Sequence, residues 1–374
     1  MSKYILAPDS FKGTMTSQEI CEIMKRAIKK VDKGANVISV PIADGGEGTV
    51  DAFLSALGGN RRTATVTGPH FEKMECSYGI TPDGTAIIET ASCAGLPLVY
   101  GNKNPEITTT YGIGELMCDA ANAGAKRIII GLGGSATNDG GCGAAAAAGI
   151  GFYDKDGQRF TPVGKTLKDI DKIDYTSLNP ALKHVEITAM CDVDNPLLGE
   201  SGAANVFGPQ KGANAAMIAR LDAGLEHLAN VSGKRNLADA SSSGAAGGMG
   251  FGMMAFFSGK IQMGIEGLLD IIDFESMLSG ANLVLTGEGR IDPQSMHGKT
   301  VIGVARRAHK CGVPAIAVVG DIADGIEPAY DMGLTAVFSI NRVALEKKLM
   351  RQRAKSDMEA TVENIIRALK AAKV

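Results

Sequence analysis

The sequence predicts an α/β protein of two domains, an outer one made of both chain ends and a second inserted between them. Three observations carry this reading. Strand and helix signals alternate through the first sixty residues, the pattern of a parallel sheet with crossover helices. The same alternation resumes near residue 282 and runs to the end. The stretch between opens on short strands joined by turns and so breaks the pattern. The expected division is 1–66 plus 282–374 for the outer domain and 67–281 for the insertion.

Residues 4–8, Tyr-Ile-Leu-Ala-Pro, read as a short buried strand. Thr16 and Glu19 have capping-box spacing, and Ile20, Ile23, Met24, Ala27, Ile28 and Val31 follow at helical spacing. Lys29 and Lys30 stand near the end of that helix, where cations favour its dipole, and Gly34 follows. Val37 to Ile42 is the second strand. A second helix opens near Gly46, with Val50, Phe53, Leu54 and Leu57 on one face, and stops at Gly58-Gly59.

Thr63–Val66, Cys76–Ile80 and Thr85–Glu89 then read as a meander, with Pro82-Asp83-Gly84 as one of its turns. Tyr111 to Ala123 is helical and is closed by Gly124. Arg127–Ile130 is a strand that runs into a glycine-rich loop and the alanine run Ala144–Ala148. Glu186–Cys191 is a strand, residues 214–231 a helix, and 244–255 a Gly/Ala/Met-rich segment. From 282 onward, Leu283–Thr286, Pro314–Val319 and Ala336–Ile340 are strands, a helix covers about 299–311, and a charged helix about 344–372.

At 374 residues the chain has room for two or three domains. Lys and Arg total 38 against 41 Asp and Glu, so the basic excess usual in a nucleic-acid binder is missing. No apolar run approaches the ~18 residues of a membrane helix, and the first residues, MSKYILAPDSFKG, lack the apolar core of a secretory signal. The seven cysteines form no CxxC pair and most lie in apolar contexts, the usage of reduced, buried thiols. A cytoplasmic protein is expected. The five histidines show no zinc spacing.

Glycine, at 48 residues, is nearly twice as frequent as the average of about 7%, and it gathers in the loops after strands. Ligands of open parallel sheets bind at those strand ends. The loops are Asp9-Ser10-Phe11-Lys12-Gly13-Thr14, Asp44-Gly45-Gly46-Glu47-Gly48-Thr49, Gly133-Gly134-Ser135-Ala136-Thr137-Asn138-Asp139-Gly140-Gly141, Asp192-Val193-Asp194-Asn195-Pro196 and Gly287-Glu288-Gly289-Arg290-Ile291-Asp292. Backbone N–H groups at glycines can converge on an anion, and a helix opening behind the loop adds its dipole. The second and third loops are therefore candidate phosphate or carboxylate cradles. Tight strand-to-helix turns with N-caps are the plain alternative. Asp44, Asp139, Asp192, Glu288 and Asp292 are candidates to hold Mg²⁺, to act as a base or to bind hydroxyls. Lys12, Lys211 and Lys299 lie in glycine-containing loops and are candidates to neutralise phosphate charge.

Two motifs fail on inspection. Gly298-Lys299-Thr300 ends like a phosphate-binding P-loop, but the required upstream glycine is Pro293. Gly250-Phe251-Gly252-Met253-Met254-Ala255 fits a loose dinucleotide fingerprint, but no strand precedes it; close helix packing is the expected use.

Five blocks together resemble the type-1 bacterial glycerate kinase family: Ala-Pro-Asp-Ser-Phe-Lys-Gly-Thr (7–14), Pro-Ile-Ala-Asp-Gly-Gly-Glu-Gly-Thr (41–49), Gly-Leu-Gly-Gly-Ser-Ala-Thr-Asn-Asp-Gly-Gly (131–141), Phe-Gly-Pro-Gln-Lys-Gly-Ala (207–213) and Leu-Thr-Gly-Glu-Gly-Arg-Ile-Asp (285–292). The resemblance spans essentially the whole chain. It implies a Rossmann- or flavodoxin-like parallel-sheet domain formed by both chain ends, an inserted second α/β domain, and an active site in the cleft between them. It also implies ATP-dependent phosphorylation of D-glycerate with Mg²⁺, with 2-phosphoglycerate the favoured product. The roles rest on the loop chemistry. Asp192 is the first candidate base and Asp44 the second. Lys12 and Lys211 meet phosphate or the glycerate carboxylate, and Gly133, Gly134, Ser135 and Asn138 cradle phosphate. Asp9, Ser10, Gly45, Gly46, Asp139 and Lys299 complete the binding set, with Glu288 and Asp292 toward metal. A non-catalytic sugar-acid sensor and a hydroxy-acid oxidoreductase are the competing readings. Oligomeric state stays open.

Overall fold

The structure is a computed structural model and describes residues 2–42, 45–46, 48–297 and 300–372. Its strands are, in chain order, β1 (Lys3–Pro8), β2 (Asn36–Ser39), β3 (Asn60–Thr67), β4 (Lys73–Ile80), β5 (Thr85–Glu89), β6 (Arg127–Gly131), β7 (Gly151–Tyr153), β8 (Arg159–Phe160), β9 (Lys172–Asp174), β10 (Glu186–Cys191), β11 (Lys260–Met263), β12 (Leu283–Gly287), β13 (Arg290–Ile291), β14 (Ala315–Val319), β15 (Asp321–Ile322) and β16 (Leu334–Ser339). The chain divides into two units, Met1–Asp44 with Asp51–Leu57 and Ile265–Val374, and Gly45–Val50 with Gly58–Gly264.

The first unit holds a five-stranded sheet, every pair parallel, in the order β16-β14-β12-β1-β2. β12 and β14 are buried along their whole length, as strands covered on both faces must be. Helix Ser17–Val31 forms where the sequence places it. Thr16 Oγ1 accepts the Glu19 N–H while the Glu19 carboxylate accepts the Thr16 N–H, closing the capping box. Its apolar face, Ile20, Met24, Ala27 and Ile28, shares a core with Leu6, Leu285 and Val318 and with Met358, Val362 and Ile366 of the last helix, Lys347–Ala371. The pleat sends alternate residues, Ile5, Val284 and Ala317, to the opposite, equally buried face. The chain steps from β1 outward to β2, and much later returns to β12 on the other side of β1. The sheet therefore has a topological switch point between β1 and β12.

The second unit holds a six-stranded mixed sheet, β11-β10-β6-β5-β4-β3. The pairs from β11 to β5 are parallel, and β5-β4-β3 is an antiparallel meander, as the turn-rich sequence predicts. Ile88, Ile128 and Ile130 pack there with Ile113, Leu116 and Met117 of helix Tyr111–Asn122. A separate core gathers Phe152, Leu225, Leu228, Phe251 and Phe256 beside the small antiparallel sheet β8-β7-β9. That small sheet went unread in the sequence because its strands are two or three residues long. In helix Ala245–Phe257 the glycines do serve close packing: a Cβ on Gly252 would lie 2.6 Å from the Gly140 carbonyl oxygen.

This division moves both expected boundaries. β3 pairs with β4 from Asn60↔Ile80 to Thr67↔Lys73, which carries residues 58–66 into the second unit. Residues 265–281 join the first unit instead. Arg307 of helix Thr300–Lys310 donates to Glu266 at 2.7 Å, Asp270 at 2.6 Å and Glu275 at 2.5 Å.

Candidate active site

In the first unit the switch point brings together the loops that follow β1 and β12. The Asp9 N–H donates to the Gly287 carbonyl at 2.8 Å, and the Gly320 N–H at the end of β14 donates to the Glu288 carbonyl at 3.1 Å. Gly287 has no room for a side chain, since a Cβ there would lie 2.1 Å from the Val318 carbonyl oxygen. The β1 loop is a tight turn locked by buried Phe11, whose carbonyl accepts from Thr14 and Met15. Lys12 stands exposed at its tip, with Asp9 and Ser10 half-buried behind it and Glu288 buried beside them. Asp9, Ser10, Lys12 and Glu288 are thus gathered at one strand-end crevice, where the sequence expected them.

Asp292 does a different job. Its Oδ1 accepts the N–H groups of Gln294 and Ser295, capping the short turn Pro293–His297. Among the described residues no three His, Cys, Asp or Glu side chains cluster closely enough to hold a metal ion.

In the second unit the ends of β5, β6 and β10 share one edge, and Gly45 and Gly46 lie along it. The Gly133 N–H donates to the Gly45 carbonyl at 2.9 Å, and the Leu132 N–H to the Met190 carbonyl at 2.9 Å. The contacts are backbone on backbone. A Cβ on Gly45 would lie 2.6 Å from the Met190 oxygen, one on Gly131 2.4 Å from the Gly45 oxygen, and one on Gly133 2.6 Å from the Gly46 Cα. Asp192 follows directly on β10, half-buried, two residues beyond that Met190 carbonyl. Gly45, Gly46, Gly133, Gly134, Ser135 and Asp192 are therefore brought to one edge. Asp44 and Lys299 lie outside the described residues.

The glycine-rich loop after β6 departs from its expected use at its far end. Asp139 is wholly buried, and its carboxylate is taken up by the protein's own donors. Its carboxylate accepts the Thr110 N–H at 2.8 Å, the Thr110 hydroxyl at 2.9 Å, and the N–H groups of Gly141 at 3.1 Å and Gly143 at 3.2 Å. The Ala144 N–H goes to Thr110 Oγ1 at 3.0 Å. The N-terminus of helix Cys142–Ala147 is thus filled by a protein carboxylate where the sequence suggested a bound phosphate. Burial outweighs these bonds and raises the Asp139 carboxyl above its ordinary value.

Lys211 is also buried. Its Nζ donates to Ser135 Oγ at 2.9 Å and to the Thr137 carbonyl at 2.7 Å, so it clasps the loop from within. Burial pushes its ammonium down to about 7, and the Asp139 charge offsets this only in part. Beside it, Asn138 is wholly buried, and among the described residues neither its amide oxygen nor its amide nitrogen has a hydrogen-bond partner.

Sequence reasoning missed two supports. Glu89 accepts the Val50 N–H at 2.7 Å and so fixes the helix after the Gly45–Thr49 loop. Ala246, Gly247 and Gly248 are left-handed in succession, and the Gly247 carbonyl accepts the Gly140 N–H at 3.0 Å. The Ala-Gly-Gly run was a signal for that turn; for Glu89 no local signal existed.

Comparison with known proteins agrees with this architecture. A model of the glycerate kinase family matches residues 4–370. The glycerate kinase of Bacillus subtilis is 43% identical over 99% of this chain and 98% of its own length. The glycerate 2-kinase of Escherichia coli K12 is 44% identical, covering 90% of each chain. A crystal structure from Salmonella typhimurium LT2, named as a glycerate kinase 2, superposes with a TM-score of 0.89 at 38% identity, over 100% of this chain and 99% of that one. A family match of this extent, on a two-domain α/β frame with its glycine loops at the strand ends, makes the chain a kinase that works on a small molecule with a nucleotide, and it belongs to the glycerate kinase family.

Proposed function

We propose that the protein transfers the γ-phosphoryl group of ATP to D-glycerate by direct in-line displacement, giving 2-phosphoglycerate. The carrying observation is the edge where Gly45–Gly46, Gly133–Ser135 and Asp192 meet: a backbone-packed glycine loop with Gly134 exposed on it and the half-buried Asp192 at the end of the neighbouring strand. Asp192 accepts the proton of the attacking glycerate hydroxyl, with Asp44 the second candidate for that role. Lys12, exposed at the β1 turn, neutralises charge on phosphate or on the glycerate carboxylate. Gly134, exposed at the turn, and Ser135 hold phosphate oxygens, while Gly133 ties the loop to Gly45 through its N–H. The unpartnered buried amide of Asn138 supports a ligand contact there, because such a group is costly to leave unbonded.

Magnesium fits the donor set as an ion carried by the nucleotide. A protein normally gives nucleotide-bound Mg²⁺ one or two carboxylates, and the phosphates supply the rest. Glu288 would serve as that carboxylate, while Asp292 has its Oδ1 engaged in a cap. The ion would spread the charge that develops on the transferring oxygens.

Phosphorus NMR tests the reading, using protein with ATP, Mg²⁺ and D-glycerate, and controls without glycerate or with L-glycerate. A new phosphomonoester at the 2-phosphoglycerate position is expected. A 3-phosphoglycerate signal would keep the kinase and reverse the hydroxyl placement. Intact ATP with no new signal would remove D-glycerate as the acceptor.

A further inference from the structure

Lys211 meets no carboxylate within ion-pair distance among the described residues; its two hydrogen-bond acceptors, Ser135 Oγ and the Thr137 carbonyl, are neutral. A charged lysine can only donate, so Ser135 Oγ must accept from it. The single hydroxyl hydrogen of Ser135 is then left to point elsewhere. Ser135 is itself nearly buried, but it adjoins exposed Gly134, whose φ of +73° turns the chain there. The arrangement spans 76 residues of sequence and ties the turn Pro209–Lys211 to the glycine-rich loop.

We propose that Lys211 is a positioning residue, which turns the Ser135 hydroxyl hydrogen outward to donate to an anionic group bound at the Gly133–Ser135 loop. The proposal rests on reading that loop as the substrate-anion site. If Lys211 loses its proton, its amine gains a lone pair to which Ser135 can donate, and a hydroxyl turned that way presents only lone pairs to the anion, which repels it. Burial brings that ammonium to about 7, so the reversal falls in the neutral range. Asp139 is the titratable group acting on Lys211 from the glycine-rich loop; on the neighbouring segment Lys103 donates to the Gln210 carbonyl at 3.2 Å.

Sulfate, which keeps its charge across this range, is the probe. Its binding is measured by calorimetry at about pH 6 and about pH 8.5, on either side of the lysine value. Wild type is expected to bind about tenfold more tightly at the lower pH. Lys211→Met and Ser135→Ala each lose that advantage, and the double variant binds no more weakly than either single one, because both remove the same donor. In the kinase assay, both raise one substrate KM by a common factor and change kcat less than about threefold. Undetectable or pH-independent sulfate binding by wild type overturns the proposal, as do single effects that multiply in the double variant. Should Lys211→Met fail to fold, Ser135→Ala decides alone: unchanged sulfate binding overturns the proposal. Sulfate binding as expected in a protein that does not phosphorylate D-glycerate refutes the substrate reading and leaves the Lys211 assignment standing.

Discussion

The Glu89 carboxylate accepts the backbone N–H of Val50 at 2.7 Å, joining positions 39 residues apart. It holds the first turn of helix Thr49–Leu57 to the end of β5 and supplies the negative charge that a helix N-terminus favours. Gly48 leads straight into that turn, close in sequence to Gly45 and Gly46. Glu89→Ala is expected to cost about 1 kcal/mol of stability, as loss of a capping acceptor does. Glu89→Gln keeps an acceptor and recovers part of it. Because the loop loosens, kcat/KM falls at least about tenfold in the alanine variant. Thermal unfolding and steady-state kinetics on the same samples check both statements.

Gly45 has a φ of +84° and faces the Met190 carbonyl oxygen, which an added Cβ would approach to 2.6 Å. Gly45→Ala carries both left-handed strain and a backbone clash, about 1–3 kcal/mol together. Gly34 has no positive φ, and a Cβ added there would meet no atom within 4 Å. Gly34→Ala is therefore the control and stays within about 0.5 kcal/mol of wild type. Urea midpoints measure the contrast. Equal midpoints for the two variants would show that the Gly45 loop does not lie on β10.

Asp139 separates a structural role from a ligand role. Asn at this position places an amide N–H against groups that already donate, so Asp139→Asn is expected to destabilise the protein by about 2–4 kcal/mol. Chemical denaturation reads the loss. A variant of native stability with abolished turnover would instead restore Asp139 to the ligand set.

The last helix answers to acid. Glu359 receives Arg26 at 2.7 Å and the Lys30 ammonium, and the two cations hold its carboxyl down at about 2, against an ordinary 4.5. A depressed carboxyl stabilises the fold fully above its unfolded value, and the contribution drains away as pH falls from about 4.5 toward about 2. Glu359→Gln should therefore lower the melting temperature at neutral pH and flatten its dependence on pH in that acid window. Salt should shrink the difference, because Arg26 and Lys30 are half-exposed. A pH profile parallel to wild type would show that the ion pairs contribute nothing to docking of helix Lys347–Ala371 on helix Ser17–Val31.

What the sequence made legible was local. The Thr16–Glu19 box, the β6 isoleucines and the strand Glu186–Cys191 all declare themselves within a few residues. What it hid was carried by distance. Asp139 reads as an exposed acid in a polar loop until Thr110, 29 residues earlier, is seen to enclose it. Lys211 reads as a phosphate ligand until its ammonium is found under Ser135. β3 reads as a strand of the meander, yet the division expected at 66 parts it from β4, with which it pairs along its whole length. Side-chain type located the chemistry, and only the pairings decided which groups support and which are supported.

The position of β1 between β2 and β12 also sets a timetable for the ribosome. Tyr4 pairs with Leu283, so the central strand of the first sheet is synthesised long before its neighbour exists. At about 5–20 residues per second, the 279 residues between them take roughly 14–56 s to emerge. During that interval the segment Gly58–Gly264 is completed as one uninterrupted stretch and can close its own cores. The earliest-made strand is thus among the last to be sheltered. A nascent chain stalled before residue 283 should present β1 to proteases and chaperones while the later-born unit is already resistant.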